Sequence, residues 1–164
     1  MTGADTSGPI RPEVHRLLLD VMLGKLTVYL RMCGYDAAYA GDLGIECDDA
    51  LCRHAVTEDR LLLSRDRELV DRTPAAILVE SRNRADQFAE LAAAGFRVEL
   101  ADPPRRCGRC NGAVERVDAK ARTPRYAPSP AEQTCWQCVS CGQIFWKGSH
   151  WDRVQAVIES IRPS

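Results

Sequence analysis

At 164 residues, with 45% hydrophobic and 6% aromatic side chains, the chain has room for one compact domain plus a small appendage. No apolar run is long enough to span a bilayer, and the polar start, Met1 to Pro9, has no signal-peptide core. The near-zero net charge hides an asymmetry: residues 1–100 carry 12 basic against 17 acidic side chains, and residues 101–164 carry 10 against 6.

Residues 1–14 read as a disordered lead. His15 to Asp20 is an apolar run closing on an acid, as in a buried strand. Met22 to Met32 keeps its apolar residues mostly on one helical face and stops at Gly34. Tyr35 to Tyr39 predicts a second strand and Gly41 to Gly44 a loop, after which Asp48 is placed to cap a helix running to about Glu58. Arg60 to Asp66 repeats the opening design of an apolar run ending in an acid. Ala75 to Val79 is a further strand, Arg84 to Ala94 a helix closed by Gly95, and Phe96 to Leu100 a last short strand. Strands alternating with helices define an α/β layer with a mainly parallel sheet. Asp102-Pro-Pro104 marks its end, and Trp151 to Ile161 is a closing helix.

Between them lie two Cys-x2-Cys pairs, Cys107/Cys110 and Cys138/Cys141. Each places two sulfurs on one tight turn, and the Asn or Gly that follows tolerates a left-handed backbone. Together they supply the four ligands of a closed structural zinc site, with hairpins expected around it. Disulfides are the competing reading, and Cys135 offers a slipped pair with Cys138; Gly142 favours Cys138/Cys141. Cys33, Cys47 and Cys52 fall outside any pairing pattern, which suits a reducing cytoplasm. Arg105, Arg106, Arg109, Arg116, Lys120, Arg122 and Arg125 surround the first pair, a cluster suited to a polyanion or simply to solvent.

A closed zinc site has no open position, so chemistry is sought in the first hundred residues. Parallel sheets bind ligands beyond the carboxyl ends of their strands. Asp20 and Asp66 both fall on that edge, and Asp48 and Asp49, at the start of a helix, can reach it. Carboxylates converging there call for Mg2+ or Mn2+, which can activate water and clamp a phosphate. The competing reading is that these acids are strand ends and helix caps, Asp66 capping a following helix. His15, His54 and His150 show no ligand spacing, and no glycine-rich phosphate loop or serine elbow is present.

The stretch Asp20-Val-Met-Leu-Gly-Lys-Leu-Thr-Val-Tyr-Leu-Arg-Met-Cys-Gly-Tyr-Asp36 is followed by Asp48-Asp49-Ala-Leu and Arg60-Leu-Leu-Leu-Ser-Arg-Asp66. With Arg106-Cys-Gly-Arg-Cys-Asn111 and Cys138-Val-Ser-Cys-Gly-Gln-Ile-Phe-Trp-Lys-Gly-Ser-His-Trp151, these resemble the Mut-7 C-terminal RNase domain family over roughly residues 16–155. The resemblance implies a three-layer PIN-like domain over residues 15–102 and a zinc ribbon with its closing helix over 103–164. It implies an Mg- or Mn-dependent ribonuclease with structural zinc, acting on RNA such as tRNA or another structured species. Asp20 and Asp66 would hold the catalytic metal, with the third acid Asp48 or Asp49; Asp42 lies near, and Glu68 would complete the set. Lys25 and Arg31 would contact phosphate, or else pack the helix or face solvent, with Arg105, Arg106 and Arg109 of the ribbon helping to bind RNA. Two other classes stand beside it: a non-catalytic zinc-ribbon RNA-binding module, and an interaction module using Phe145, Trp146 and Trp151. Those aromatics are otherwise expected to pack the ribbon against the main domain.

Overall fold

A computed structural model describes residues 8–162. Its first sheet has four parallel strands: β1 (Arg16–Leu19), β2 (Asp36–Tyr39), β3 (Leu61–Ser64) and β4 (Ala76–Leu78), in the order β2-β1-β3-β4. The unbroken leucine runs of β1 and β3 fit strands buried on both faces. Successive side chains point to opposite faces. Leu17, Leu19, Leu61 and Leu63 therefore enter one core cluster, and Leu18 and Leu62 the other.

Helices cover both faces. A 3-10 turn (Val21–Leu23) leads into α1 (Gly24–Met32), which packs Leu26 and Leu30 on the first face together with Phe88 and Leu91 of α5 (Arg84–Ala93). The opposite face takes Ala40 of the single turn α2 (Ala40–Leu43), Leu51 and Ala55 of α3 (Asp48–Thr57), and Leu69 of α4 (Arg67–Arg72). The architecture is thus helix, sheet, helix, the three layers expected. Truncating a leucine at the centre, such as Leu18→Ala, is expected to cost about 2–5 kcal/mol.

A second sheet of three short antiparallel strands, β5 (Val114–Arg116), β6 (Cys135–Cys138) and β7 (Ile144–Trp146), carries the cysteines. The final helix α6 (Ser149–Ser160) leaves this ribbon and places Val154 and Ile158 in the core of the first sheet, against α5. The closing helix therefore shares the main core, because its apolar stripe has no comparable partner in so small a ribbon.

Several local expectations are corrected. Phe96 to Leu100 forms no strand; Phe96 makes a single parallel bridge with Ile10. Ile10 is buried, and the Tyr35 hydroxyl donates 2.9 Å bonds to the carbonyls of Ile10 and Arg97. The second half of the expected disordered lead is consequently docked on the domain, while residues 1–7 lie outside the described residues. Asp48 does not cap α3: Cys47 holds that position without a side-chain bond, and Asp48 is the first helical residue. The expected loop at Gly41–Gly44 contains the turn α2, which ends on Gly44 at φ 67°.

Candidate functional site

Because β1 and β3 are central neighbours, the residues that follow them emerge side by side at the carboxyl edge of the sheet. The Asp20 N–H donates to the Leu63 carbonyl (3.1 Å), extending the ladder by one residue. One carboxylate oxygen of Asp20 accepts from the Val21 N–H (2.7 Å) and the other from the hydroxyl of Ser64 (2.7 Å). Ser64 is fully buried, and its oxygen accepts the Asp66 N–H (3.0 Å). Asp66 in turn caps α4, its Oδ1 accepting from the N–H groups of Glu68 (3.0 Å) and Leu69 (3.3 Å). Asp20 and Asp66 are thus brought together through Ser64, and among the described residues neither is ion-paired. Ser64 was given no role in the sequence reading, although a small polar residue at a strand end two positions before an acid was there to be read.

The other acids stand apart. Asp49 pairs with Arg72 (2.8 Å) at the end of α4, Asp42 lies 3.7 Å from Arg31, and Asp48 and Glu68 are exposed in the first turns of α3 and α4. Among the described residues, the only group of three or more potential metal ligands close enough to share an ion is Cys107, Cys110, Cys138 and Cys141.

Those four sulfurs all lie within 4.8 Å of one another, with Cys107–Cys141 at 3.7 Å and Cys110–Cys138 at 3.4 Å. Zinc–sulfur bonds of about 2.3 Å in a tetrahedron separate sulfurs by about 3.8 Å, so the cluster fits a zinc ion. Asn111 (φ 71°) and Gly142 (φ 79°) adopt the left-handed backbone expected after each second cysteine. The N–H groups of Ser140 and Cys141 point at the Cys138 sulfur, each at 3.4 Å. Burial opposes ionisation of Cys138, but these amides and the thiols of Cys110 and Cys141 outweigh it and bring the thiol down to about 7. Burial pushes Cys107 up to about 12. Cys135 is buried on β6, where its sulfur faces the carbonyls of Gln133 and Pro128. The slipped pairing with Cys138 is excluded. None of the eight cysteines is disulfide-bonded.

The knuckle docks on the edge strand of the first sheet through two side chains. Asn111 accepts the Ala37 N–H (3.0 Å) and donates to Asp36 (2.7 Å). Arg31 donates to the Ala37 carbonyl (2.8 Å) and to the Gly108 carbonyl (3.0 Å). Both outward-facing backbone groups of Ala37 are therefore satisfied by side chains. Arg31 is only 3% exposed, so the expected phosphate contact is corrected: its guanidinium is a strut between strand and knuckle. Burial works against ionisation of Asp36, but hydrogen bonds from Arg60 and Asn111 and the nearby Arg106 outweigh it and hold the carboxyl below its ordinary range.

Arg106 shares this internal role, donating to the Asn111 carbonyl (3.1 Å) and lying 3.8 Å from Asp36. Arg105 and Arg109 stay exposed, the first near Glu13 and the second bonded to Gln143. Lys25 is exposed on α1. Phe145, Trp146 and Trp151 are half-buried and, with Val28 and Met32 of α1, line a cavity of about 420 Å³ at the ribbon seam. They face the main domain as expected and leave space between.

A parallel α/β domain with acids at its carboxyl edge is joined to a small ribbon whose four cysteines fit a zinc ion. The chain belongs to the Mut7-C RNAse domain family, whose model matches residues 15–158, nearly its whole length. No curated protein and no solved structure matches it. Among the described residues, no helix is long and apolar enough to cross a membrane.

Proposed function

We propose that this protein is a divalent-metal-dependent ribonuclease that hydrolyses RNA phosphodiester bonds at the edge formed by Asp20, Ser64 and Asp66. The supporting observation is that two carboxyl groups, at the ends of the two central strands of an RNAse-family domain, flank one buried serine with neither ion-paired among the described residues. Mg2+ and Mn2+ are held by one or two carboxylates with water and substrate phosphate filling the rest, so this donor set fits such an ion. When bound there, the ion supplies a water acidified for attack and neutralises charge on the phosphate. The chain's own residues do the rest. Ser64 fixes the Asp20 carboxylate, the cap bonds of Asp66 fix its rotamer, and Asp48, unpaired among the described residues, is a better third ligand than Asp49, which Arg72 holds. Zinc held by the ribbon's four cysteines would have no open position and would take no chemical part, and the exposed Arg105 and Arg109 would meet the RNA. Eight reduced cysteines suit a cytoplasmic location.

The test is incubation of purified protein with total cellular RNA and Mn2+, followed by sequencing of the new ends. Asp20→Asn and Asp66→Asn should each lower cleavage by about 100-fold or more while zinc content and melting stay native. Asparagine is itself a good helix cap, so Asp66→Asn spares α4. Full activity in either variant refutes the assignment, and RNA binding without cleavage at any Mg2+ or Mn2+ concentration replaces it with the non-catalytic binding module.

A further inference from the structure

A second cavity, of about 410 Å³, opens beside the acids and is lined by Lys25, Tyr39, Arg65, Arg82, Arg84 and Gln87 together with the apolar turn after Asp20. Tyr39 ends β2, Lys25 follows β1, Arg65 follows β3, and Arg82, Arg84 and Gln87 follow β4. The cavity thus lies beyond the carboxyl ends of all four strands, where parallel sheets present their ligand sites. Four cationic side chains line it, and no carboxylate does. Among the described residues Lys25, Arg82 and Arg84 have no ion-pair partner, while Arg65 reaches the Glu80 carbonyl at 3.4 Å and acts on the Glu90 carboxylate, helping to hold it below its ordinary range. This gathering occurs in the half of the chain whose net charge is negative. Like charges converging on one concavity repel one another until an anion enters.

A second observation points the same way. Among the described residues, two buried side-chain polar atoms lack a hydrogen-bond partner, Arg65 Nε and Gln87 Oε1, and both belong to side chains of this cavity. Buried polar groups without partners are rare and mark a place completed by something else. The guanidinium groups of Arg65, Arg82 and Arg84 suit phosphate, whose geometry they match in pairs. Arg65 also sits in sequence between Ser64 and Asp66, which places the cavity on the same edge of the sheet as the two acids.

We propose that this cavity seats a phosphate of the RNA strand other than the one being cleaved, and so fixes which bond reaches Asp20 and Asp66. The proposal rests on the ribonuclease reading for its substrate, but the cavity's phosphate affinity is measurable without cleavage.

Binding of fluorescently labelled single-stranded RNA is measured by anisotropy over a range of salt concentrations, in an Asp20→Asn background with zinc retained. Adding Arg82→Ala and Arg84→Ala should weaken binding about 10-fold or more and lower the slope of log K against log salt by about 1.4, since each single-strand phosphate contact contributes about 0.7. An RNA carrying a 5′-phosphate is compared with its 5′-hydroxyl counterpart. A terminal phosphate in the cavity gives a preference for the phosphorylated strand that the variant abolishes; an internal one gives equal binding to both strands, lost equally in the variant. Unchanged affinity and slope overturn the proposal. Should the double variant fail to fold, Lys25→Ala, at an exposed position, reads the same cavity with a slope change of about 0.7. Absence of hydrolysis by the native protein would refute the ribonuclease reading and leave this measurement standing.

Discussion

Asn111→Gly isolates the contact that docks the zinc knuckle on the first sheet. Glycine adopts the φ of 71° found at this position without strain, so only the side chain is removed. Two hydrogen bonds go with it, the 3.0 Å bond from the Ala37 N–H and the 2.7 Å bond to the Asp36 carboxylate. A neutral bond contributes about 1 kcal/mol and one to a charged group about 1.5–3, and Ala37 is fully buried, so its N–H is left without a partner. Arg60, 2.8 Å from Asp36, keeps that carboxylate satisfied and limits the loss. The expected destabilisation is about 3 kcal/mol, or about 6–12 °C in Tm for a domain of this size. Denaturant unfolding gives the energy, and hydrogen exchange gives the location, since the Ala37 amide should lose protection while the interior of β3 keeps it. Zinc content should stay at one ion per chain, because no ligand is touched. An Asn111→Gly protein within about 0.5 kcal/mol of the native one, with Ala37 still protected, would refute the docking argument.

Ser64→Ala removes the hydroxyl that fixes Asp20 and should lower cleavage by about 10–100-fold, as loss of a ligand-orienting partner does, with a smaller change in RNA affinity; unaltered turnover would mean that Ser64 only fills space. A Cβ at Gly112 would stand 2.8 Å from the Cys138 sulfur and 2.9 Å from the Ser140 hydroxyl, so Gly112→Ala should weaken zinc retention against a competing chelator and destabilise the ribbon by about 1–3 kcal/mol. Asp36 has its carboxyl pKa lowered by folding, so its contribution is complete above about pH 4 and is lost as pH falls through the lowered value. Acid titration of unfolding should therefore show a steeper loss below pH 4 in the native protein than in Asp36→Asn, and identical acid limbs would contradict the assigned partners.

What was legible in the sequence was what depends on local pattern. Leucine runs ending on an acid gave β1 and β3, and glycine after an amphipathic stretch gave the ends of α1 and α5. Cysteine spacing with Asn111 and Gly142 gave the knuckles. Contacts between distant residues were not legible. Nothing in the helical face around Arg31 distinguishes a guanidinium that meets phosphate from one that holds Ala37 and Gly108, because the distinction is made by a knuckle 77 positions away. The same holds for α6, whose stripe shows burial without saying which sheet buries it. Asp20 and Asp66 could be placed on one edge of the sheet from sequence because strand order in a parallel sheet is constrained. The cationic cavity was missed because its four basic residues come from three separate connections.

Strand β2 is one of the two edge strands of its sheet, and the knuckle covers it through Asn111 and Arg31. A chain starved of zinc loses this cover, leaving an unsatisfied ladder on which another chain can template, the usual route to aggregation. Metal scarcity would then silence the protein by clumping rather than by slowing turnover, and the ribbon serves as a guard on the sheet.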